Sequence, residues 1–263
     1  MAYFKNFPLI KYKFGNNEES VFFKDASVYV DLIDQIADNV SYYSNFTIVD
    51  GERPDTLSYK LYGTSDYYWT FFLLNESLRQ SGWPLTVTKM YKFIEEVYPN
   101  YAIQLDGSYK VDGVITPMTL ATLFPVGQSF SVDGSAVATV VKKNLDIGQV
   151  VFKYKSGDES QLLNFTQLNY SNSDGEILVF NAGASTNFYN NVVEYNSPAY
   201  YTNSLGARAD IDPYDIATST GPLIPVTYQE KLISFNDDLK VIKMFKPSAI
   251  SNVVNEFNRL VKG

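Results

Sequence analysis

Apolar positions keep two different periods along this chain, and the switch between them divides it. The first 25 residues alternate apolar and polar in short extended runs, interrupted at Gly15-Asn16-Asn17. Val28, Leu32, Ile36 and Val40 then recur at i,i+4, which predicts a helix over 28–40 with one apolar face. A short strand over 46–49 runs into Asp50-Gly51, a strong turn dipeptide. Pro54 and Asp55 predict a helix start, with the Asp55 carboxylate accepting the free N–H groups of the first turn as N-cap. Leu57 and Leu61 face inward, and Gly63 sits where a glycine ends a helix. Thr64 or Ser65 caps a second helix carrying Trp69, Phe72 and Leu73 on one face, closed by Asn75. Trp83-Pro84-Leu85-Thr86 opens a third, with Met90, Phe93, Ile94 and Val97 as its apolar face, which stops near Pro99.

From about Tyr101 the runs shorten and glycine turns recur, among them Asp106-Gly107, Asp133-Gly134, Ile147-Gly148 and Asp174-Gly175. Val137–Val141 and Gln149–Tyr154 read as strands, and the spacing over 101–181 predicts a small all-β module, a barrel or a sandwich. Residues 182–225, rich in Asn, Ser, Tyr, Gly and Pro without a period, read as an extended arm or long ordered loop. Regularity returns over 226–263. Val226–Phe235 and Leu239–Phe245 predict a hairpin around Asn236-Asp237-Asp238. Pro247 then leads a helix with Ile250, Val253, Val254, Phe257, Leu260 and Val261 on one stripe, which packs on its own domain or docks on another protein.

Composition narrows the chemistry. With 45% hydrophobic and 19% charged residues over 263 positions, the chain is globular and long enough for one large domain or two modest ones. Aromatics reach 16%, with 21 Tyr and 18 Phe against 2 Trp, which suits either protein interfaces or aromatic-rich strands. A net charge of -8 with scattered basic residues argues against nucleic acid as a partner. No apolar run reaches the ~20 residues of a membrane span. Pro8 and the lysines at 5 and 11 break the start before a signal-peptide core forms.

The sequence contains no Cys and no His. Thiolate nucleophiles, disulfides, Cys/His zinc sites, Ser-His-Asp triads and histidine acid–base catalysis are therefore outside its chemistry. Carboxylate chemistry, a Ser-Lys pair or an oxygen-only metal site remains. Asp210-Ile-Asp212-Pro-Tyr-Asp215 lacks the calcium-loop spacing and reads as turn-capping Asx residues. Neither Glu95-Glu96, splayed on a helix, nor Asp237-Asp238, at the expected hairpin tip, gives two carboxylates flanking a bond. The residues thus predict no enzyme, no metal and no cofactor, with a carboxylate glycosidase the one catalytic alternative.

Asp55-Thr56-Leu57, Tyr62-Gly63 and Asn75 stand where a LysM repeat has its Asp-Thr-Leu, Tyr-Gly and closing Asn around two helices, and the segment resembles that repeat. Its context includes Tyr3-Phe4, Phe7-Pro8, Tyr12, Tyr42-Tyr43, Asp50-Gly51-Glu52-Arg53-Pro54-Asp55, Lys60-Leu61-Tyr62-Gly63, Tyr68-Trp69 and Trp83-Pro84-Leu85. Together these resemble the baseplate wedge subunit of T-even-type contractile-tailed phages, a family with an embedded LysM-like fold. Asn236-Asp237, Ile242-Lys243, Lys246-Pro247 and Asn255-Glu256-Phe257 are similar to that family's C-terminus.

The resemblance covers 1–98 and 226–263. It implies an α+β protein: a LysM-like βααβ unit at about 46–86 in a discontinuous domain built from both ends, around an inserted β-module. It further implies a non-enzymatic virion protein of the tail baseplate, assembled in the host cytoplasm. Its partners would be the helical bundle of the wedge core, the sheath initiator, hub or tube-initiating proteins and copies in neighbouring wedges. Asp55, Thr56, Leu57, Tyr62, Gly63, Tyr68, Trp69, Asn75 and Trp83 would form the LysM-like motif, and Lys246, Pro247 and Phe257 the C-terminal one. LysM repeats elsewhere bind N-acetylglucosamine polymers, so the alternative expectation is a peptidoglycan-binding module that positions the tail on the cell wall.

Overall fold

The computed structural model describes residues 8–13, 20–25, 42–105, 110–111, 114–115, 123–171, 177–181, 188–212 and 220–262. The expected 28–40 helix and the Gly15-Asn16-Asn17 break lie outside them. The protein is α+β, with six helices and several sheets among the described residues. It divides into two compact units, Met1–Val87 with Phe235–Gly263 and Thr88–Ser234.

The chain begins with an antiparallel ribbon of β1 (Leu9–Lys13) and β2 (Ser20–Lys24). β3 (Tyr43–Thr47) leads through the Asp50-Gly51 turn, where Gly51 takes a positive φ of 80°, into α1 (Pro54–Tyr62). A 3-10 turn, Ser65–Tyr67, precedes α2 (Trp69–Leu74), then α3 (Glu76–Ser81) and α4 (Val87–Val97). α4 buries Met90 and Ile94, while Phe93 and Val97 are exposed, so its apolar face is narrower than the sequence suggests. Residues 83–86 carry no strand; they are held by side chains instead, as described below.

The second unit is built on a seven-stranded antiparallel sheet. Its strands are β4 (Tyr101–Leu105), β7 (Ser129–Val132), β8 (Ala136–Asn144), β9 (Gln149–Gly157), β10 (Gln167–Ser171), β11 (Ile177–Asn181) and β12 (Phe188–Val193). They lie in the order β11-β10-β7-β8-β9-β4-β12, and the short β5 (Lys110–Val111) and β6 (Val114–Ile115) form a separate ladder. Alternating residues of β7 and β8 bury Phe130, Val132, Ala136, Ala138 and Val140, and Phe124, Phe152, Phe165 and Leu168 complete that core.

The stretch expected as an arm over 182–225 contains four strands where it is described. β12 forms an edge of the large sheet. A 3-10 turn, Glu194–Asn196, then leads to β13 (Pro198–Thr202), which pairs with β14 (Arg208–Ala209) and β15 (Ile224–Thr227). Tyr, Asn and Ser hide a strand from a hydrophobic-period reading, because their pairing is made through the backbone.

The expected hairpin over 226–245 is a helix followed by a strand. Thr227 and Glu230 form a reciprocal capping box: the Thr227 hydroxyl accepts from the Glu230 N–H at 3.1 Å, and the Glu230 carboxylate accepts from the Thr227 N–H at 2.8 Å. That box starts α5 (Tyr228–Asp238), so Asp237 and Asp238 end a helix rather than tip a hairpin. β16 (Val241–Phe245) pairs with β3, Thr47 opposite Val241 and Tyr43 opposite Phe245, and α6 (Ile250–Lys262) closes the chain.

Candidate functional site

The residues singled out by the sequence converge on the split first unit, where the chain's N-terminal helices meet its C-terminal strand and helix. The start of α1 is set by Arg53, not Asp55. The Thr56 hydroxyl accepts from the Arg53 N–H at 3.1 Å, and Asp55 instead receives the Arg53 guanidinium at 3.0 and 2.9 Å. This exposed ion pair adds little stability. Leu57 and Ser58 are buried, and Ser58 donates to the Thr64 carbonyl at 2.7 Å. Gly63 ends α1 at φ 74°, its N–H reaching the Tyr59 carbonyl, in a conformation that costs any side-chain-bearing residue free energy. Thr64 caps the following turn through the Asp66 N–H.

Two apolar clusters meet across α2. Trp69 and Leu73 pack with Phe245, Ile250, Val253 and Phe257, and the Trp69 and Phe257 rings stand 4.3 Å apart. Phe71, which the periodicity missed, is fully buried with Ile48, Leu57, Leu78, Leu239 and Ile242. Phe72 faces Trp83 and not Trp69, because a six-residue helix buried on two sides has no single apolar stripe.

Polar side chains stitch the two ends of the chain together. Asn75 donates to the carbonyls of Phe71 and Lys243, both at 2.7 Å, and accepts from the Lys243 N–H at 2.8 Å. One buried amide thus closes α2 and serves as a hydrogen-bonding neighbour for β16. The Tyr62 hydroxyl donates to the Phe245 carbonyl at 2.9 Å, and burial pushes its pKa up to about 12. Trp83 donates to the Glu52 carbonyl at 2.7 Å. Asn236 accepts from the Leu85 N–H and donates to the Leu85 carbonyl, so the extended segment before α4 is paired with a side chain.

Of the C-terminal residues, Phe257 is core. Lys246 and Pro247 are exposed and lead into α6, with the Lys246 N–H on the Tyr42 carbonyl. Tyr68 is partly buried beside Trp69. The named residues therefore build a scaffold: Leu57, Trp69, Asn75 and Phe257 are buried, Asp55, Tyr62, Tyr68 and Trp83 partly so, and Thr56, Gly63, Lys246 and Pro247 are exposed.

The second unit holds a buried polar network that sequence reasoning did not find. Glu194 is 1% exposed; one carboxylate oxygen accepts from Asn100 at 2.9 Å and the other meets Lys142 as an ion pair. The Lys142 ammonium lies 5.5 and 5.6 Å from the ring centres of Tyr98 and Tyr228. Burial first, then the neighbouring Tyr228, holds the Tyr98 phenol above its usual range. The Tyr228 hydroxyl continues to Gln149, whose amide donates to Ser197 and Pro198. The arrangement ties β8, β9 and the Glu194–Asn196 turn together through side chains.

No group of three or more Asp and Glu side chains converges on a metal-sized site among the described residues, and Asp215 of the acidic cluster lies outside them. No described helix is long and apolar enough to cross a membrane. No protein-family model matches the chain, and no curated protein matches it significantly.

Proposed function

We propose that the protein is a structural, non-enzymatic component of a contractile phage tail, a baseplate wedge subunit, with a LysM-like scaffold reused for protein contact. The observation that carries the reading is the β3–β16 ribbon. In this reading β3, α1, α2 and β16 form the βααβ order of a LysM-like unit, and the Thr88–Ser234 unit is inserted between its second helix and second strand. The motif residues support that assignment. Tyr62 and Asn75 both bond to β16, and Trp69 stacks on Phe257 of the C-terminal helix.

Two polar side chains near the loops a glycan would meet are already engaged within the unit. The carboxylate of Asp50, in the loop after the first strand, accepts from the Val87 N–H at 3.1 Å, and Asn75 is spent on backbone groups. Protein contact is therefore the favoured use. Partners in this reading are the wedge-core helical bundle, the sheath initiator, hub proteins and copies in neighbouring wedges, within the virion.

Co-expression with the wedge-core and sheath-initiator proteins of a contractile phage tail tests the reading. A co-purifying complex that survives gel filtration is the expected result. Failure to enter any tail assembly, together with retention on insoluble peptidoglycan, would transfer the assignment to a cell-wall-binding module. Turnover of a cell-wall substrate lost on one Asp or Glu substitution would transfer it to a glycosidase.

A further inference from the structure

Asn100, Lys142 and Glu194 meet in the second unit as an amide, an amine and a carboxyl group, three functional groups that can react with one another. Lys142, on β8, lies opposite Val151 of β9, and Val151 lies opposite Ala102 of β4. One row of the sheet thus runs from the lysine to the strand that Asn100 leads into. Glu194 is fastened to Asn100 twice: its N–H donates to the Asn100 carbonyl at 2.7 Å, and its Oε2 accepts from the Asn100 side-chain amide at 2.9 Å. Its other oxygen, Oε1, faces the Lys142 ammonium as an ion pair and accepts no hydrogen bond among the described residues. The carboxyl group is 1% exposed, and the rings of Tyr98 and Tyr228 flank the ammonium at 5.5 and 5.6 Å. A buried ion pair carries a desolvation cost that an amine beside a carboxylic acid does not.

We propose that Lys142 and Asn100 join in an intramolecular isopeptide bond, formed by the folded chain itself with Glu194 as the proton carrier. Glu194 Oε1 takes a proton from the ammonium, and the neutral Lys142 Nζ attacks the Asn100 side-chain carbonyl carbon. The Nζ–Cγ bond forms and the Cγ–Nδ2 bond breaks. Glu194 Oε2, already bonded to Nδ2, supplies the proton with which that nitrogen leaves as ammonia. Nζ then passes its surplus proton through the carboxyl group to the ammonia, so the products are one amide, one carboxylate and one ammonium ion. Attack needs Nζ about 3–3.5 Å from Cγ, and the flexible lysine stem reaches it by sliding across the carboxylate. That side chain is 48% exposed, which gives it room to move and gives ammonia a way out. The product straps β8 to the start of β4 across the intervening β9, closing a covalent loop of roughly forty residues that unfolding does not open. Each molecule reacts once, on itself, so neither the bond nor its test depends on the baseplate reading.

Intact-mass spectrometry of the purified full chain, followed over incubation at neutral pH, tests the bond. The wild type should become lighter than its sequence mass by one ammonia. Its tryptic digest should yield one branched peptide that joins the Asn100 and Lys142 segments, with no cleavage after Lys142. Lys142→Arg keeps a cation beside Glu194 but cannot form the amide, so it should hold its full sequence mass and give two separate peptides. Glu194→Gln should slow the mass loss by about a hundredfold or more. A wild type that holds its full mass overturns the proposal and leaves the three groups as an ion pair and a hydrogen bond. So does an ammonia loss that persists in Lys142→Arg or maps to a succinimide at another asparagine, and so does an undiminished rate in folded Glu194→Gln. Because Glu194 is buried, its variant can fail to fold; the wild-type and Lys142→Arg masses decide the matter without it.

Discussion

The first unit contains two antiparallel ribbons of two strands each, and they are finished in opposite ways. β3–β16 joins residues about two hundred positions apart, yet it is roofed and stitched. Phe46 and Ile242 pack into one core cluster, Phe245 into the other, and Asn75 and Tyr62 bond to the β16 backbone. β1–β2 is local in sequence and has strong β-formers, yet its large apolar side chains face water. The contrast shows that strand propensity does not stabilise a ribbon. A two-stranded ribbon is stable when something covers one face and satisfies an edge. The long-range ribbon finds both inside the unit, whereas the large apolar side chains of the local one stand exposed.

The contrast breaks most directly at Trp69. Trp69→Ala removes the ring that stacks on Phe257 and empties space under α6, at a cost of about 3–5 kcal/mol. Chemical denaturation of the variant should show that loss, and amide exchange should speed up in Val241–Phe245 with little change in Leu9–Lys13. Uniform acceleration across both ribbons would mean that they share one cooperative unit and that the distinction is false.

Asn75→Ala is the next largest. It strands the Phe71 and Lys243 carbonyls and the Lys243 N–H without their partner, costing about 1–3 kcal/mol. Its signature is local: exchange at Lys243 should rise more than at Thr47 across the ribbon. A cost under a few tenths of a kcal/mol would show that the amide fills space and does not complete the sheet.

These residues also show what the chain discloses before folding. Gly63, Asn75 and the stripe of α6 were legible because a helix end needs left-handed backbone or a polar cap, and a helix face repeats every three to four residues. β8 and β9 were legible through their runs of β-branched and aromatic residues. The pairing of β3 with β16 was not, because partner choice across so long a separation leaves no local trace. α5 was misread for a different reason: Val226, Tyr228, Leu232, Ile233 and Phe235 favour strands, while the Thr227–Glu230 box that starts a helix is only a pair of polar residues. β12 to β15 were hidden by polar composition. Within the candidate site the sequence disclosed Trp69, Asn75 and Trp83 but not Phe71, and it read Asn236 as a turn residue rather than as the partner of Leu85.

Tyr62→Phe is smaller, at about 0.5–1.5 kcal/mol for one hydrogen bond to the Phe245 carbonyl. It carries a pH signature that the other variants lack. Burial raises the phenol from 10.0 to about 12, so the folded state holds this proton more tightly than the unfolded chain does. The corresponding stability is complete below pH 10 and falls as pH rises from about 10 through about 12. Wild type should lose stability across that window more steeply than Tyr62→Phe. Parallel pH profiles would show that Tyr62 ionises as freely folded as unfolded, and that the β16 edge is open to water.

The smallest effect belongs to the exposed ribbon. Leu9→Ser with Phe22→Ser removes two large apolar groups, and if both already face water the free chain should change by no more than about 0.5 kcal/mol. The same substitutions made in a core would cost several times that. The measurement is therefore most informative when its outcome is near zero, because a near-zero outcome means the side chains are kept for something other than the fold of the isolated protein. A loss as large as that of Trp69→Ala would mean that β1–β2 is covered within the chain, and the two ribbons would then be finished in the same way. A small loss, with fast exchange at Ile10 and Phe23, would show that the two ribbons are finished in different ways.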